Sequence, residues 1–263
     1  MKNGYLGLAF HSVVVAFMLA PLLVVCLVAF TPTDTLAVPF GDWSLRWFRA
    51  VFEHGDLVQS FWNSLAVAVF AATLAALLAV PAALAIARFD FAGRQTLNGL
   101  LMSPLIVPHL VLGVAMLRLF ALLDVRGSAL WLTLAHVVIV MPYALRLMVA
   151  ALTGLDRSVE QAAASLGAGR LTVFRRITLP LMLPGITGGW MLAFINSFDE
   201  VTMSIFITSP QTVTLPVRMY MLATESIDPM MAAVSALIVA LTAVVMIVLD
   251  RLYGLDKVLV GQS

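Results

Sequence analysis

The sequence predicts an all-α membrane protein with six transmembrane helices. Of its 263 residues, 62% are hydrophobic and only 11% are charged, which is too little charge to cover a water-soluble domain of this length. Several apolar runs exceed the roughly 20 residues that an α-helix needs to cross a bilayer. None of these runs has the alternation typical of a β-strand. The predicted spans are 8–30, 63–87, 97–122, 129–151, 184–207 and 231–252.

The order of apolar and polar segments divides the chain into three parts. Residues 1–60 hold the first span and a loop, 61–252 hold the helical core, and 253–263 form a short tail. The first apolar run continues to Phe30 without a small-residue cleavage site at its end, so an uncleaved span is favoured over a signal peptide. Cys26, the only cysteine, lies in this run and is interpreted as a small packed residue.

The distribution of basic residues predicts the orientation. With the amino terminus inside, the positive-inside rule is satisfied, and both termini are cytoplasmic. The net charge of +1 gives no indication of nucleic-acid binding. The inside segments carry Lys2, Arg88, Arg94, Arg146, Arg157, Arg170, Arg175, Arg176, Arg251 and Lys257, and the outside segments carry Arg46, Arg49, Arg126 and Arg218.

The first loop and the second span have distinct compositions. The loop contains Trp43, Trp47 and Phe48, which are typical of an aromatic belt at the membrane interface. It predicts a short amphipathic helix on the membrane surface. The second span is rich in alanine, and small residues let helix backbones approach closely. We therefore expect the second span to be buried among other helices.

Two prolines lie near the start of the third span. Pro104 and Pro108 each remove a backbone donor and kink the helix, and such a kink serves either packing or a hinge in a pathway wall. His109 follows directly as a weak pathway candidate. The four histidines of the chain are far apart in sequence and lack metal-ligand spacing, so no metal site is predicted.

The polar connection 152–183 is the long interruption between apolar runs. Ser158 and Gln161 have the spacing of a capping box, in which each side chain bonds the backbone of the other. An alanine-rich helix over 159–166 then ends at Gly167 and Gly169, which can adopt positive φ. Pro180 marks the return to apolar sequence. Such a helix either docks into a groove of a cytoplasmic partner or only connects two spans.

This connection resembles the cytoplasmic loop of binding-protein-dependent ABC importer permeases. The family pattern is EAA, three residues, G, nine residues, then I-x-LP, and every spacing is met here. Gln161 stands at the pattern's glutamate, with Glu160 one residue earlier, so this position lacks the charge for an ion pair to the ATPase. The resemblance implies ATPase coupling through Ser158, Glu160, Gln161, Ala162, Ala163, Gly167, Ile177, Leu179 and Pro180.

The resemblance implies a type I importer fold in the bacterial inner membrane, with no catalytic site. It implies a second permease subunit, two ATPase subunits that bind ATP and magnesium, and an extracytoplasmic solute-binding protein. The chain has no GxxxxGK[ST] phosphate-binding loop, so no cofactor is expected on it. More narrowly, the chain is similar to the second permease subunit of spermidine/putrescine-type importers. The segments that support this similarity are RFDFAGR, SLGAGRLTVFRRITLPLMLPGI, and SFDE followed by TLP.

Two adjacent carboxylates lie inside the predicted fifth span. Asp199 and Glu200 are about eight residues, or ~12 Å, from its outer end, and carboxylates at that depth usually face a bundle interior or water. Asn196 and Ser197 add polar groups beside them. A cationic cargo would need such acceptors, so this patch is predicted to line the pathway or gate. A structural pairing within or between subunits is the alternative.

Three other functions are weighed against a polyamine-type permease. A related importer of another small solute, such as an amino-acid derivative, phosphonate, thiamine or ferric ion, has the same features. A secondary transporter working alone would need repeats or coupling-ion sites, and no convincing repeat is present. A membrane enzyme would need paired catalytic groups, which the sequence does not suggest.

Overall fold

The computed structural model describes residues 4–225 and 228–253. Every regular element in these two ranges is helical. The elements are α1 (Gly4–Val28), α2 (Arg46–Glu53), α3 (Gly55–Arg88), α4 (Arg94–Met102), α5 (His109–Leu122), α6 (Ala129–Gly154), α7 (Arg157–Ser165), α8 (Arg170–Val173), α9 (Leu179–Phe198), α10 (Ser204–Ile207), α11 (Leu215–Glu225) and α12 (Pro229–Tyr253), with a 3₁₀ turn at Ser103–Leu105 and a π turn at Phe174–Thr178.

Four helical stretches in the described part of the chain are long and apolar enough to cross a membrane. They are Gly7–Val28, Gly55–Arg88, Ala129–Gly154 and Arg170–Phe198. They correspond to the first, second, fourth and fifth predicted spans. A bent pair, Arg94–Leu105 and His109–Leu122, would make a fifth span, and α12 contributes a shorter apolar stretch, Pro229–Val244.

Two predicted spans differ from the structure. The third is not a kinked helix but two helical segments joined at 99°, because Pro104 lies in the 3₁₀ turn and Pro108 precedes α5 with ψ 132°. The fifth was predicted at 184–207, whereas its helix already ends at Phe198. Pro184 lies inside α9 instead of at the start of the span. The predicted tail lies outside the described residues from 254 onward.

The described residues form two compact units. One unit combines the chain before Ser60 with the chain after Arg218. In it, α2 buries Trp47 and Val51 on one face, and Arg46 contacts Asp34 and the Trp47 ring. The predicted amphipathic helix in the first loop is therefore confirmed as a helix, while its position on a membrane surface stays a prediction.

The second unit, Ser60–Arg218, contains the core that positions the site. The buried face of α3 is lined by fully enclosed alanines, as the composition of the second span predicts. Helix α9 packs closely on α6, since a Cβ added to Gly185 would lie 2.5 Å from Ala151 Cβ, and one added to Gly189 would lie 3.0 Å from Ala144 O. Glycine lets the two backbones approach, which makes α6 and α9 a closely joined pair.

Candidate coupling helix and pathway site

Helix α7 begins with a different cap from the predicted one. Its N-cap is Asp156, whose Oδ1 accepts the Ser158 amide at 2.9 Å. The predicted capping box of Ser158 and Gln161 is therefore wrong, because the helix starts earlier, at Arg157. The hydrogen bonds from the Ser158 side chain and backbone lower the pKa of Asp156. Aspartate is among the preferred N-cap residues, so Asp156 could have been predicted as the N-cap from the sequence.

The other end of α7 is closed by a Schellman motif. Gly167 has φ +88°, the left-handed conformation that glycine adopts without a steric penalty. Its amide donates to Ala164 O at 3.0 Å, and the Ala168 amide donates to Ala163 O at 3.1 Å, which is the bond pair of this motif. The prediction for Gly167 is confirmed. For Gly169 it is wrong, because its φ is −67° and it caps α8 instead.

Most of the α7 surface is available to a partner. Gln161, Ala162 and Gly167 are exposed, and Ala163 is half-buried. No residue of α7 is buried. Leu166 at its end is 89% exposed, an unusual degree for a leucine at a helix terminus. The helix is therefore a thin projection with an apolar tip.

Glu160 is the exception, because its carboxylate binds within the chain. Arg88 Nη2 at the end of α3 lies 3.3 Å from Glu160 Oε1, and Thr178 Oγ1 in the π turn donates to the same oxygen at 2.8 Å. Arg157 Nη2 also donates to Ala87 O at 2.7 Å. Both ends of α7's first turn are thus tied to α3. Sequence reasoning missed Arg88 and Thr178 because neither is near Glu160 along the chain.

The connection from α7 back to the apolar core is helical almost throughout. Residues from Arg170 to Phe198 form one stretch of 29 residues, in which Ile177 lies in the π turn and Leu179 opens α9. Pro180 directly follows the π turn, and because it lacks an N–H it leaves one bond of the continuing helix unmade. The chain therefore follows one helical path from α8 to the far end of α9, in which the π turn and Pro184 interrupt the regular hydrogen bonds.

The far end of α9 is where Asp199 and Glu200 lie. Asp199 is the C-cap, with φ −89° and ψ 2°, and helix returns only at Ser204 in α10. The two carboxylates therefore lie at a break, and not inside a continuous span about eight residues from its outer end as predicted. Their surroundings differ: Asp199 is exposed, whereas Glu200 is buried.

Glu200 uses both of its carboxylate oxygens. Oε1 accepts the Met203 amide at 2.7 Å, and Oε2 lies 2.8 Å from His109 Nδ1. Met203 N–H is one of the donors that a helix break leaves without an intrahelical partner. His109 follows Pro108 at the start of α5. The break at Pro108 therefore places His109 beside Glu200, and both were predicted pathway residues.

A second histidine bridges the break from α6. His136 is 1% exposed, with Nδ1 at 2.9 Å from Ser197 Oγ and Nε2 at 2.9 Å from Ser204 Oγ. Ser197 belongs to the last turn of α9 and Ser204 to the first of α10. Sequence reasoning missed His136 because it stands alone in an apolar run. A lone polar residue in a span is the signal that could have singled it out.

The remaining predicted pathway residues lie around this cluster with weaker links. Asn196 donates its side-chain amide to Leu192 O on its own helix at 2.8 Å. Pro104 lies in the 3₁₀ turn before the 99° bend and makes no contact with the carboxylates among those the structure gives. The structure thus joins Ser197 to His136 and Glu200 to His109, and leaves Pro104 apart.

The chain matches a known family of membrane proteins. Residues 75–255 match the family of binding-protein-dependent transport system inner membrane components. Because this match covers more than half of the chain, the protein belongs to that family and is a permease of an ABC importer.

Its relatives are similar along most of their length. The chain is 31% identical over 252 residues to the spermidine/putrescine transport system permease protein PotC of Haemophilus influenzae, covering 96% of this chain and 97% of the relative. It is 34% identical over 236 residues to the putrescine transport system permease protein PotI of Escherichia coli, covering 87% and 84%.

One solved structure has the same fold. A bacterial ABC transporter that imports the acidic polysaccharide alginate contains a chain that superposes with a TM-score of 0.74, at 14% identity, over 96% of both chains. This similarity supports the type I importer fold. It says nothing about the cargo of the present chain, since the identity is low.

Proposed function

We propose that this chain is one of two permease subunits of an importer for a small polyamine-like cation. The observation that carries the proposal is the similarity to two polyamine permeases over most of the chain. The exposed carboxylate of Asp199 at the break after α9 supports it, because an organic cation needs anionic acceptors on its path. A solute-binding protein outside the membrane delivers the cargo.

The same proposal assigns ATP hydrolysis to two separate ATPase subunits, which bind ATP and magnesium. Helix α7 docks on one of them through its exposed residues, among them Gln161, Ala162 and Gly167. Glu160 supports this contact by fixing the first turn of α7, because its Oε1 is bound to Arg88 and Thr178. Closure of the ATPase pair then moves α7, and the continuous stretch Arg170–Phe198 carries this motion to the break at Asp199. Both termini lie in the cytoplasm in this arrangement.

A related importer of another solute is the second candidate. The molybdenum transport system permease protein ModB of Escherichia coli is 34% identical over 186 residues. It covers a smaller part of this chain, 63%, than the polyamine permeases do. An anion would also be repelled by Asp199, so this observation favours a cation.

Cargo is tested in cells that lack their own polyamine uptake and express all subunits of the importer. Labelled putrescine and spermidine are expected to accumulate, and molybdate and alginate oligosaccharides are not. Accumulation of molybdate without either polyamine would contradict the proposed cargo and leave the permease assignment intact.

Docking is tested with Gly167→Leu. Nothing lies within 4 Å of a Cβ added at Gly167, so within the chain the change costs only the left-handed backbone, roughly 1–2 kcal/mol. Uptake and ATPase co-purification are nevertheless expected to be abolished, because the bulky side chain projects from the docking surface. Insertion into the membrane should be retained.

Gly169→Leu is the matched control, since its φ of −67° suits any residue and its Cβ position is also open. It is expected to keep most of the uptake. Normal uptake and normal ATPase association in Gly167→Leu would show that α7 is a connector and not a docking helix.

A further inference from the structure

The break between α9 and α10 is unusually well held for a non-helical segment. Its backbone leaves donors and acceptors unpaired, and such groups are costly where water is scarce. Glu200 meets part of this demand by accepting the Met203 amide. Two histidines from other helices bind side chains at the break: His109 from α5 contacts Glu200, and His136 from α6 contacts Ser197 and Ser204. Neither has a role in the coupling described above.

His136 fixes the two flanks of the break relative to each other. A neutral imidazole has one donor and one acceptor nitrogen, and a serine hydroxyl can meet either. The two 2.9 Å hydrogen bonds to Ser197 and Ser204 therefore satisfy the whole ring. Because His136 is almost fully buried, water is not at hand to replace a bond that is lost.

Glu200 fixes the middle of the break. Its carboxylate binds Met203 N within the break and His109 on α5. Met203 itself is fully buried. A Cβ added to Gly113 on α5 would lie 2.8 Å from Phe206 Cδ2 and 3.1 Å from Met203 Cα. Helix α5 therefore packs directly against the segment that Glu200 secures.

Asp199 is left in a different position. It is exposed, and among the described residues its carboxylate has no hydrogen-bond or ion-pair partner. Adjacent carboxylates with such unequal surroundings serve different purposes, since only one of them has free acceptor capacity.

We propose that Glu200, His109 and His136 are positioning residues that clamp the break, and that Asp199 alone of the two carboxylates meets the cargo. The inference rests on the proposed function for the cargo, while the clamp itself does not depend on transport. The chain then offers one acceptor at the break for one ammonium group. The rigid break sets the position of this acceptor.

The clamp is tested by cysteine labelling of the detergent-purified importer in a Cys26→Ser background, because Cys26 is the only cysteine in the chain. Met203→Cys should react slowly with a maleimide, and the exposed neighbour Thr202→Cys should react fast. Adding His136→Phe or Glu200→Ala should accelerate labelling of Met203→Cys by on the order of tenfold, because buried partners are left unpaired. Adding Asp199→Asn should leave the rate unchanged.

Ser197→Ala with Ser204→Ala removes the same hydrogen bonds from His136 without altering the ring, so it serves where His136→Phe fails to assemble. It is also expected to accelerate labelling. If neither this pair nor Glu200→Ala changes the rate at Met203→Cys, the clamp is wrong.

The division between the two carboxylates is tested by spermidine uptake. Asp199→Asn should raise KM by roughly tenfold or more with little change in Vmax, as expected when one charged contact to the cargo is lost. Glu200→Gln should keep KM within about twofold, because Asp199 still meets the cargo. It should lower Vmax, because the amide still accepts from Met203 N but its contact with His109 is altered. An equal rise of KM in both variants would overturn the division. Unchanged uptake in Asp199→Asn, together with the expected labelling, would instead disprove the proposed pathway and leave the clamp standing.

Discussion

The two ends of α9 differ in backbone structure, although a glutamate is bound near each of them. At Leu179 the helix continues from α8 through the π turn, and a glutamate, Glu160, ties the neighbouring α7 to α3. At Phe198 the helix stops, and another glutamate, Glu200, secures the segment beyond it. The first glutamate pairs with an arginine and the second with a histidine.

This difference indicates two roles: one end of α9 is suited to transmit a movement of α7, and the other to hold Asp199 in position. In the proposed function, the helical path from Arg170 to Phe198 carries a displacement of α7 to the far end of α9. A break would absorb that displacement unless it were held, and hydrogen bonds from neighbouring helices hold it here. On this proposal, one end of α9 receives the displacement and the other sets the position of Asp199. Three substitutions probe this division, beginning with the link between the ends.

The largest effect is expected from Gly185→Ala in the contact between α9 and α6. The added Cβ would lie 2.5 Å from Ala151 Cβ and 3.1 Å from Leu147 O, so the helices must separate, at a cost of about 3 kcal/mol. Both ends of α9 should lose function together, seen as a lower melting temperature and a severalfold loss of uptake. Gly188→Ala, whose Cβ would meet only Leu147 Cδ1 at 3.7 Å, is the control. Equal stability of the two variants would show that α9 and α6 are not closely joined.

A smaller effect is expected from Arg88→Glu at the coupling end. It places two carboxylates together where the side chains of Arg88 and Glu160 are only 10% and 20% exposed, which costs roughly 2 kcal/mol, between an exposed and a buried pair. Uptake per ATP hydrolysed should fall, because α7 moves without α3. The double variant Arg88→Glu with Glu160→Arg should recover part of the coupling.

The control for this charge swap is Arg94→Glu. Its partner Asp90 is 96% exposed, and such surface pairs contribute about 0–1 kcal/mol. Uptake should be unchanged. A double variant that is no better than Arg88→Glu alone would show that the ion pair does not transmit motion.

The smallest effect concerns the N-cap of α7. Asp156→Ala should increase amide hydrogen exchange in the first turn of α7, whereas Asp156→Asn, also a good cap, should not. Hydrogen bonds from Ser158 lower the pKa of Asp156, so its contribution is complete above the ordinary carboxyl pKa and is lost only as pH falls through the lowered value. The difference between wild type and Asp156→Ala should therefore be constant from about pH 6 to 8. A difference that shrinks within this window would contradict the cap.

Helix locations were predictable from the sequence because bilayer length and hydrophobicity act on each segment by itself. The runs at α1, α3 and α6 needed no knowledge of neighbours. The end of α9 was not predictable in this way, since 199–207 is apolar enough to continue a span. The segment after the helix end is held by Glu200, which binds the Met203 amide and His109, and His109 lies 91 residues away.

The candidate site shows the same division. Gly167 was identified correctly because a left-handed helix end is a local requirement. Asp156 was missed as the N-cap of α7 because Ser158, two residues later, is also a good capping residue, and the backbone conformation decides between them. His136 and Arg88 acquire their roles from contacts across 61 and 72 residues, which no local pattern encodes.

The tie between Arg88 and Glu160 has a consequence for biogenesis. The ribosome adds about 5–20 residues per second, and 72 residues separate the two side chains. Arg88 is therefore made roughly 4–14 seconds before its partner exists. During that interval α3, α5 and α6 must enter the bilayer with this guanidinium reaching for water or lipid phosphates. The first turn of α7 can bind α3 only after Glu160 has been made.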